Sequence, residues 1–340
     1  MNLGISGPRR PLSVLPPRVA GSVRRTMHVD VGTRHGWGVP LPVSGAARDL
    51  RTDAVEQQPN VVAEVTVEAV FDTDRSLADL RARPSAPWVE QLLGTRAGGG
   101  FRRRLEEVVP PDDSGSLLRQ LLDDMPAAVL ISGYGFMRLA RRRGLDPRTL
   151  TPPDVLERML DLCSGWRAGG TAMNSVAAGH GVPLQDCPPA PPEHGEDRWA
   201  FHRVPALAPD AMRRRRCLDL SPGTGDALSV WATFRDSVGE PDGGEAVLHE
   251  YTVQATVRHG VVAAVVAEPR VLPFPECPAA ADKVGVLVGT PLARLSGAVP
   301  ELIAGTDCCT HLNDLLRALG GLAELSALVV EGEFRPPVGS

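Results

Sequence analysis

The stretch RRTMHVDV, residues 24–31, decides the fold because it recurs beyond the middle of the chain as RRRRCLDL, residues 213–220. The comparison aligns Arg24 with Arg213 and Asp30 with Asp219, and it places Cys217 opposite His28. Self-similarity at a long interval indicates a repeated structural unit. We therefore predict an internal duplication, in which two diverged copies of one module share the chain.

Further matches follow in the same order along both halves. Within each copy, apolar and polar residues alternate with a period of two, which is typical of half-buried strands. Residues 312–319 have helical spacing, whereas the alternation of Val284, Val286 and Val288 predicts one more strand. The further matches are AEVTVEAV from Ala63 with HEYTVQAT from His249, Arg48-Asp49 with Arg235-Asp236, Gly94-Thr95 with Gly289-Thr290, and LLRQLLDD from Leu117 with HLNDLLRA from His311.

These patterns predict an α+β protein with five parts. Each copy is an antiparallel meander followed by helices, and a helical segment joins the two copies. In that segment, a helix is expected from Met125 to Leu145, and Thr151-Pro152-Pro153-Asp154 predicts the start of another. The parts are a basic flexible tail (1–23), the first copy (24–125), a helical connection with a proline-rich loop (126–212), the second copy (213–325) and a carboxyl-terminal tail (326–340).

Composition excludes several classes of protein. The apolar fraction is 43% and the formal net charge is −5, so the chain is globular rather than disordered. No stretch approaches the ~20 apolar residues of a membrane helix. Lys283 is the only lysine; the arginine clusters lack paired aromatics and the balance is acidic, which argues against nucleic-acid binding. The six cysteines contain no C-x-x-C, so we expect reduced thiols in the cytoplasm.

Several short segments resemble an uncharacterised bacterial family, the domain-of-unknown-function family 2889. They are Cys277-Pro278, Val288-Gly289, the run from Asp307 to Leu312, and the segment CSGWRAGG from Cys163. The resemblance is to an actinobacterial-type member with two copies, and it covers most of the chain. It implies no established activity.

Chemistry-bearing residues are concentrated in the second copy. Cys308-Cys309-Thr310-His311 stands where the first copy has Ser114-Gly115-Ser116-Leu117, and His249 stands opposite Ala63. Cys277 has no counterpart. The second copy thus carries groups that can catalyse reactions or bind metal, and the first copy lacks them. This pattern is expected of an enzyme or cofactor binder in which one copy serves only as a supporting pseudo-subunit.

Three interpretations of these residues remain open. With Asp307 as the N-cap, Cys308 and Cys309 would lie in the first turn of a helix, which lowers a thiol's pKa, and His311 would act as the base. Alternatively, Cys277, Cys309 or Cys308, and His311 bind zinc or another soft metal, with His249 as a further ligand. In the third interpretation the cysteines are simply small buried apolar residues.

A glycine-rich segment in the first copy suggests one further site. Residues 94–100, with Arg96 and the arginines at 102–104, could cradle a phosphate or a CoA-like anion at a helix start. The segment lacks the G-K-[ST] ending of a P-loop. A plain glycine-rich turn is the alternative.

Our leading functional hypothesis is an enzyme of small-molecule metabolism, including secondary metabolism, with an acyl, thioester or polyketide-like substrate. Its catalytic residues would be Cys308, Cys309, His311 and His249, in the second copy or between the copies. The alternatives are a non-enzymatic metal-binding or accessory protein, in which Cys277, Cys309 and His311 bind zinc, and an interaction scaffold.

Overall fold

The computed structural model of the protein describes residues 7–33, 39–146, 153–191, 195 and 197–330. The predicted helix start at Thr151-Pro152, residues 1–6 of the predicted amino-terminal tail and residues 331–340 of the carboxyl-terminal tail lie outside this part. Within it the protein is α+β, as predicted, with one antiparallel sheet and several helices.

The sheet consists of two meanders that meet at its centre. Its order is β4-β3-β2-β1-β5-β6-β7-β8, and β1 pairs antiparallel with β5. Aligned side chains at this pairing include Arg24 with Asp219 and Asp30 with Arg213. The strands are β1 (Val23–Val31), β2 (Leu41–Thr52), β3 (Pro59–Phe71), β4 (Leu77–Arg83), β5 (Met212–Pro222), β6 (Leu228–Gly239), β7 (Glu245–Arg258) and β8 (Val261–Val271).

Helices cover one face of the sheet. α2 packs on β1, β2 and β5, α7 on β1 and β5, and α6 on β6 and β7. Among the described residues, no helix is long and apolar enough to cross a membrane. The helices are α1 (Gly99–Val108), α2 (Leu117–Arg142), α3 (Pro153–Met159), α4 (Thr171–Ala177), α5 (Leu295–Leu302), α6 (Thr310–Ala318) and α7 (Leu322–Val330).

Two local predictions need correction. The helix expected from Met125 to Leu145 belongs to the longer α2, which runs without interruption through residues 125 and 126. The strand expected at residues 284–288 is wrong, because Cys277–Leu287 forms a 3-10 helix. With three residues per turn, this helix turns Cys277, Ala280, Val284 and Leu287 toward the core.

The opposite face of the sheet is covered by irregular chain rather than by helices. Residues 7–22, predicted as part of a flexible tail, lie against this face, where the Leu12 N–H donates to Glu250 Oε2 at 2.6 Å. Buried arginines of the strands donate to carbonyls of the covering segments. Arg24 reaches the carbonyls of Pro16 and Ala200, and Arg213 reaches that of Pro205. These guanidiniums donate to backbone carbonyls that accept no hydrogen bond from a neighbouring strand.

The arginine run at residues 213–216 therefore lies inside the protein rather than on an arginine-rich surface. Arg213, Arg214 and Arg216 are at most 2% exposed. Successive residues of β5 point to opposite faces, so Arg214 and Arg216 lie under the helices while Arg213 faces the covering segments. Asp30 accepts two bonds of 2.6 Å from Arg213, and Asp219 accepts bonds of 2.6 and 2.7 Å from Arg24.

Candidate functional site

Two histidines and an aspartate meet between the sheet and α6. Asp236 on β6 is paired with His249 on β7 across the ladder, directly beside a β-bulge, and His311 lies in the first turn of α6 above them. Asp236 Oδ2 lies 3.6 Å from His249 Nδ1 and 3.8 Å from His311 Nε2. The imidazole rings stack with centroids 3.9 Å apart. One donor atom from each residue lies within 4.8 Å of the others, a spacing that one metal ion could bridge.

Both imidazoles are held neutral at physiological pH. Burial lowers the pKa of His311 to about 3, and the Arg214 guanidinium adds to this effect. Burial also lowers the pKa of His249 well below its ordinary value, with His311 contributing. Neutral imidazole is the form that binds metal ions. Moreover, His249 Nδ1 is buried and has no hydrogen-bond partner in the described part of the chain.

Arg214 fixes the carboxylate of this cluster. Its Nε and Nη2 donate to Asp236 Oδ1 and Oδ2 at 2.7 and 2.9 Å, and its Nη1 donates to Asp314 Oδ2 at 2.9 Å. Although burial works in the opposite direction, Arg102, Arg214 and Arg216 hold the pKa of Asp314 well below its ordinary range. Each carboxylate oxygen has two lone pairs, so the pairing with Arg214 leaves Oδ2 able to accept a further ligand.

The cysteines predicted as nucleophiles are near this cluster but buried. α6 begins at Thr310, so Cys309 is its N-cap and Cys308 precedes it, and the prediction that both lie in the first turn is wrong. Burial raises the pKa of Cys308 to about 11 and that of Cys309 to about 12, the reverse of the expected lowering. Cys309 Sγ nevertheless lies 3.8 Å from His311 Nδ1.

The segment from Cys163 packs against the same region. The Ser164 N–H donates to the Cys308 carbonyl at 2.8 Å. A Cβ on Gly165 would lie 2.7 Å from Cys277 Sγ, so glycine at this position lets the Cys277 sulfur pack against the backbone. Segments far apart in the chain are thereby brought together beside α6.

The structure unites some of the predicted site residues and separates others. His249, His311 and Cys309 lie together as predicted. Cys277 lies beside Gly165 and is not among the residues whose donor atoms cluster around Asp236. Sequence reasoning missed Asp236, because its alignment with Asp49 marks it as part of the shared scaffold. Its one distinguishing signal is that His249 replaces Ala63 at the opposing position.

The fold and the site together describe an α+β protein. Its candidate functional side chains lie between one half of the antiparallel sheet and α6. The family described as "Protein of unknown function (DUF2889)" matches residues 212–324, a range that contains Asp236, His249, Cys277, Cys309 and His311. This match confirms the resemblance to domain-of-unknown-function family 2889 for the carboxyl-terminal region. No curated protein and no solved structure matches the chain.

Proposed function

We propose that this protein is a metal-dependent enzyme of small-molecule metabolism, in which Asp236, His249 and His311 bind a divalent transition metal. The observation that carries the proposal is the convergence of three donor atoms within 4.8 Å, one of them the unpartnered buried His249 Nδ1. Two imidazoles and a carboxylate suit Zn²⁺ or Fe²⁺.

The number of ligands favours a catalytic site over a purely structural one. Three protein ligands leave coordination positions open for water or substrate, where a bound metal polarises an oxygen or activates water. The side chains of His249 and His311 are 15% and 18% exposed, so the cluster borders solvent. Arg214 hydrogen-bonds to Asp236 and orients its carboxylate, as residues behind the ligands do in metal sites. The acyl, thioester or polyketide-like class of substrate remains the proposal made from the sequence.

A second candidate is covalent catalysis by Cys309. His311 lies between the Cys309 thiol and the Asp236 carboxylate, at 3.8 Å from each, which is the order of a nucleophile, a base and an orienting acid. The raised pKa of Cys309 opposes this function, because the thiol form is a poor nucleophile. The metal hypothesis therefore ranks first.

The test is the metal content of full-length protein purified without chelators or an affinity metal. We expect one equivalent of bound transition metal in the unmodified protein, and loss of most of it in His249→Ala and in His311→Ala. Removal of a metal ligand weakens binding strongly because the remaining two donors cannot hold the ion. Mass spectrometry of the metal, with circular dichroism to confirm folding, measures the effect.

Cysteine variants provide the matched control. Cys277→Ser and Cys309→Ser should keep the metal if the carboxylate and imidazoles bind it. Loss of metal in these variants but not in His249→Ala would instead support the set Cys277, Cys309 and His311. Absence of metal from the unmodified protein, together with no uptake of added Zn²⁺ or Fe²⁺, would refute a metal site.

We also propose that the two halves are diverged copies of one module, 24–125 and 213–325. The strand order is compatible with a two-fold axis between β1 and β5, across which Arg24 pairs with Asp219 and Arg213 with Asp30. In the first half Arg25 binds both oxygens of Asp49 at 2.7 Å, as Arg214 binds Asp236 in the second. The first half carries no histidine opposite Asp49, which is consistent with a supporting role. The free cysteines accord with the proposed location in the cytoplasm.

A further inference from the structure

An arginine-rich cleft lies in the first half of the protein, away from the histidine cluster. Its volume is about 740 Å³, which is within the range of small-molecule sites. It is bordered by the turn after β3, residues 95–98, residues of α1 between Gly100 and Glu107, and single residues of α2 and α3. Its charged lining residues are Asp74, Arg75, Arg96, Arg103, Arg104, Glu107 and Arg158.

The cleft carries an excess of positive charge. Five arginines face two carboxylates, and those carboxylates are already engaged: Asp74 lies 3.8 Å from Arg96, and Glu107 lies 3.2 Å from Arg104. Neither Arg75 nor Arg103 has a carboxylate partner among the described residues. Two of the five guanidiniums are thus available to a ligand.

The burial and the backbone conformation of Arg75 are both unusual for a cation without a carboxylate partner. It is half-buried, and burial lowers its pKa. Its backbone has a φ of 67°, in the left-handed region that arginine rarely adopts. A half-buried cation without a counter-charge is less stable than a paired one, and left-handed backbone of this kind often occurs at binding sites. An anionic ligand in the cleft would supply the missing counter-charge.

We propose that this cleft binds a small polyanionic molecule that carries phosphate groups. Guanidinium groups form paired hydrogen bonds to phosphate oxygens, and several arginines around one cavity suit a ligand with several such groups. Gly98 and Gly100 line the cleft, and a Cβ built on either meets no atom within 4 Å, so their backbone is open to a ligand. The glycine-rich segment noted in the sequence thereby acquires a function.

The arginines of α1 divide between this cleft and the buried charge network. Arg103 and Arg104 line the cleft, whereas Arg102 contacts Asp314 of α6 at 2.7 Å. Substitutions at the cleft can therefore leave the network that supports Asp236 intact. The phosphate site and the metal site can be tested separately.

The experiment is calorimetric titration of the full-length protein with inorganic tripolyphosphate at low and moderate salt. We expect measurable binding that weakens as salt rises, and a loss of affinity of about tenfold or more in the double variant Arg75→Gln, Arg103→Gln. The control is Arg81→Gln, Arg258→Gln, which removes the same charge from two exposed arginines outside the cleft and should bind normally. Thermal unfolding checks that both variants remain folded.

Each other outcome overturns the proposal. No binding by the unmodified protein would remove the site. Equal affinity in the cleft variant, or equal loss in the control, would show that tripolyphosphate binds elsewhere or by general charge alone. Citrate binding as tightly as tripolyphosphate would contradict the assignment to phosphate and point to carboxylates. Because tripolyphosphate itself binds divalent metals, these titrations use protein first freed of metal with a chelator and then dialysed, so the metal proposal stands or falls separately.

Discussion

Arg214→Met is expected to lower the free energy of unfolding by about 3–5 kcal/mol, because it leaves the buried Asp236 carboxylate without its counter-charge. Arg214 is 2% exposed and donates to Asp236 and to Asp314, which are themselves buried. Methionine fills much of the same volume but donates no hydrogen bond. The Asp236 carboxylate would then face a medium that solvates it poorly, whereas Asp314 would keep Arg102 at 2.7 Å. Urea denaturation followed by circular dichroism, in buffer with a chelator, measures the loss.

The control for this prediction is Arg81→Met. Arg81 also pairs with an aspartate, Asp79, at 3.2 Å, but its side chain is 73% exposed. Surface pairs of this kind contribute at most about 1 kcal/mol, so the control should remain close to the unmodified protein. A loss below about 1 kcal/mol in Arg214→Met would mean that water or a shift of neighbouring groups relieves the carboxylates.

Acid is expected to destabilise the protein through His28, on the face of the sheet opposite the candidate site. His28 Nδ1 lies 2.7 Å from His202 Nε2, and burial lowers the pKa of His28 to about 4, with Arg213 and Arg215 contributing and Asp30 opposing. The unfolded chain binds this proton below about pH 6.5. The native chain does not bind it until about pH 4. The stabilisation is therefore complete above pH 6.5 and is lost as the pH falls, by about 3 kcal/mol over that interval.

The variant His28→Gln isolates this contribution. Between pH 7 and pH 5 the unmodified protein should lose about 2 kcal/mol more stability than the variant does. His249 and His311 lie on the opposite face of the sheet and cancel in the difference, whereas His202 bonds His28 directly, so the difference belongs to the His28–His202 pair. His259→Gln serves as the control, since that side chain is 83% exposed. Identical pH dependence in His28→Gln and the unmodified protein would show that His28 is protonated in the native state near its ordinary pKa.

The local pattern of the sequence determined most of the secondary structure. Alternation from Ala63 to Phe71 and from His249 to Val257 predicted strands, and β3 and β7 cover those residues. Leucines at helical spacing predicted the helix that α6 provides. These signals are reliable because burying one face of a strand or helix imposes a period on neighbouring residues. The alternating valines at 284–288 failed as a signal because only Val284 is buried, whereas Val286 and Val288 are about half exposed and mark no buried face.

Only the tertiary structure could place the arginines. Four consecutive arginines are typical of an exposed segment. No local sequence pattern indicates that β5 lies at the centre of the sheet. Their burial depends on carboxylates from other elements: Asp30 on β1, Asp124 on α2, Asp236 on β6 and Asp314 on α6. An isolated buried arginine would be prohibitively unfavourable, and only long-range pairing makes it tolerable.

The residues of the candidate site were likewise predicted only in part. The comparison of the two halves of the sequence predicted that the second half carries the site, because the aligned positions of the first half lack His249, Cys309 and His311. The tertiary structure decided that Asp236 joins the histidines and that the cysteines are held as thiols. Spacing along a helix suggested a lowered thiol pKa, but burial by the sheet and the Cys163 segment outweighs the helix terminus. Desolvation depends on every element that surrounds a group, and for that reason no short motif could reveal it.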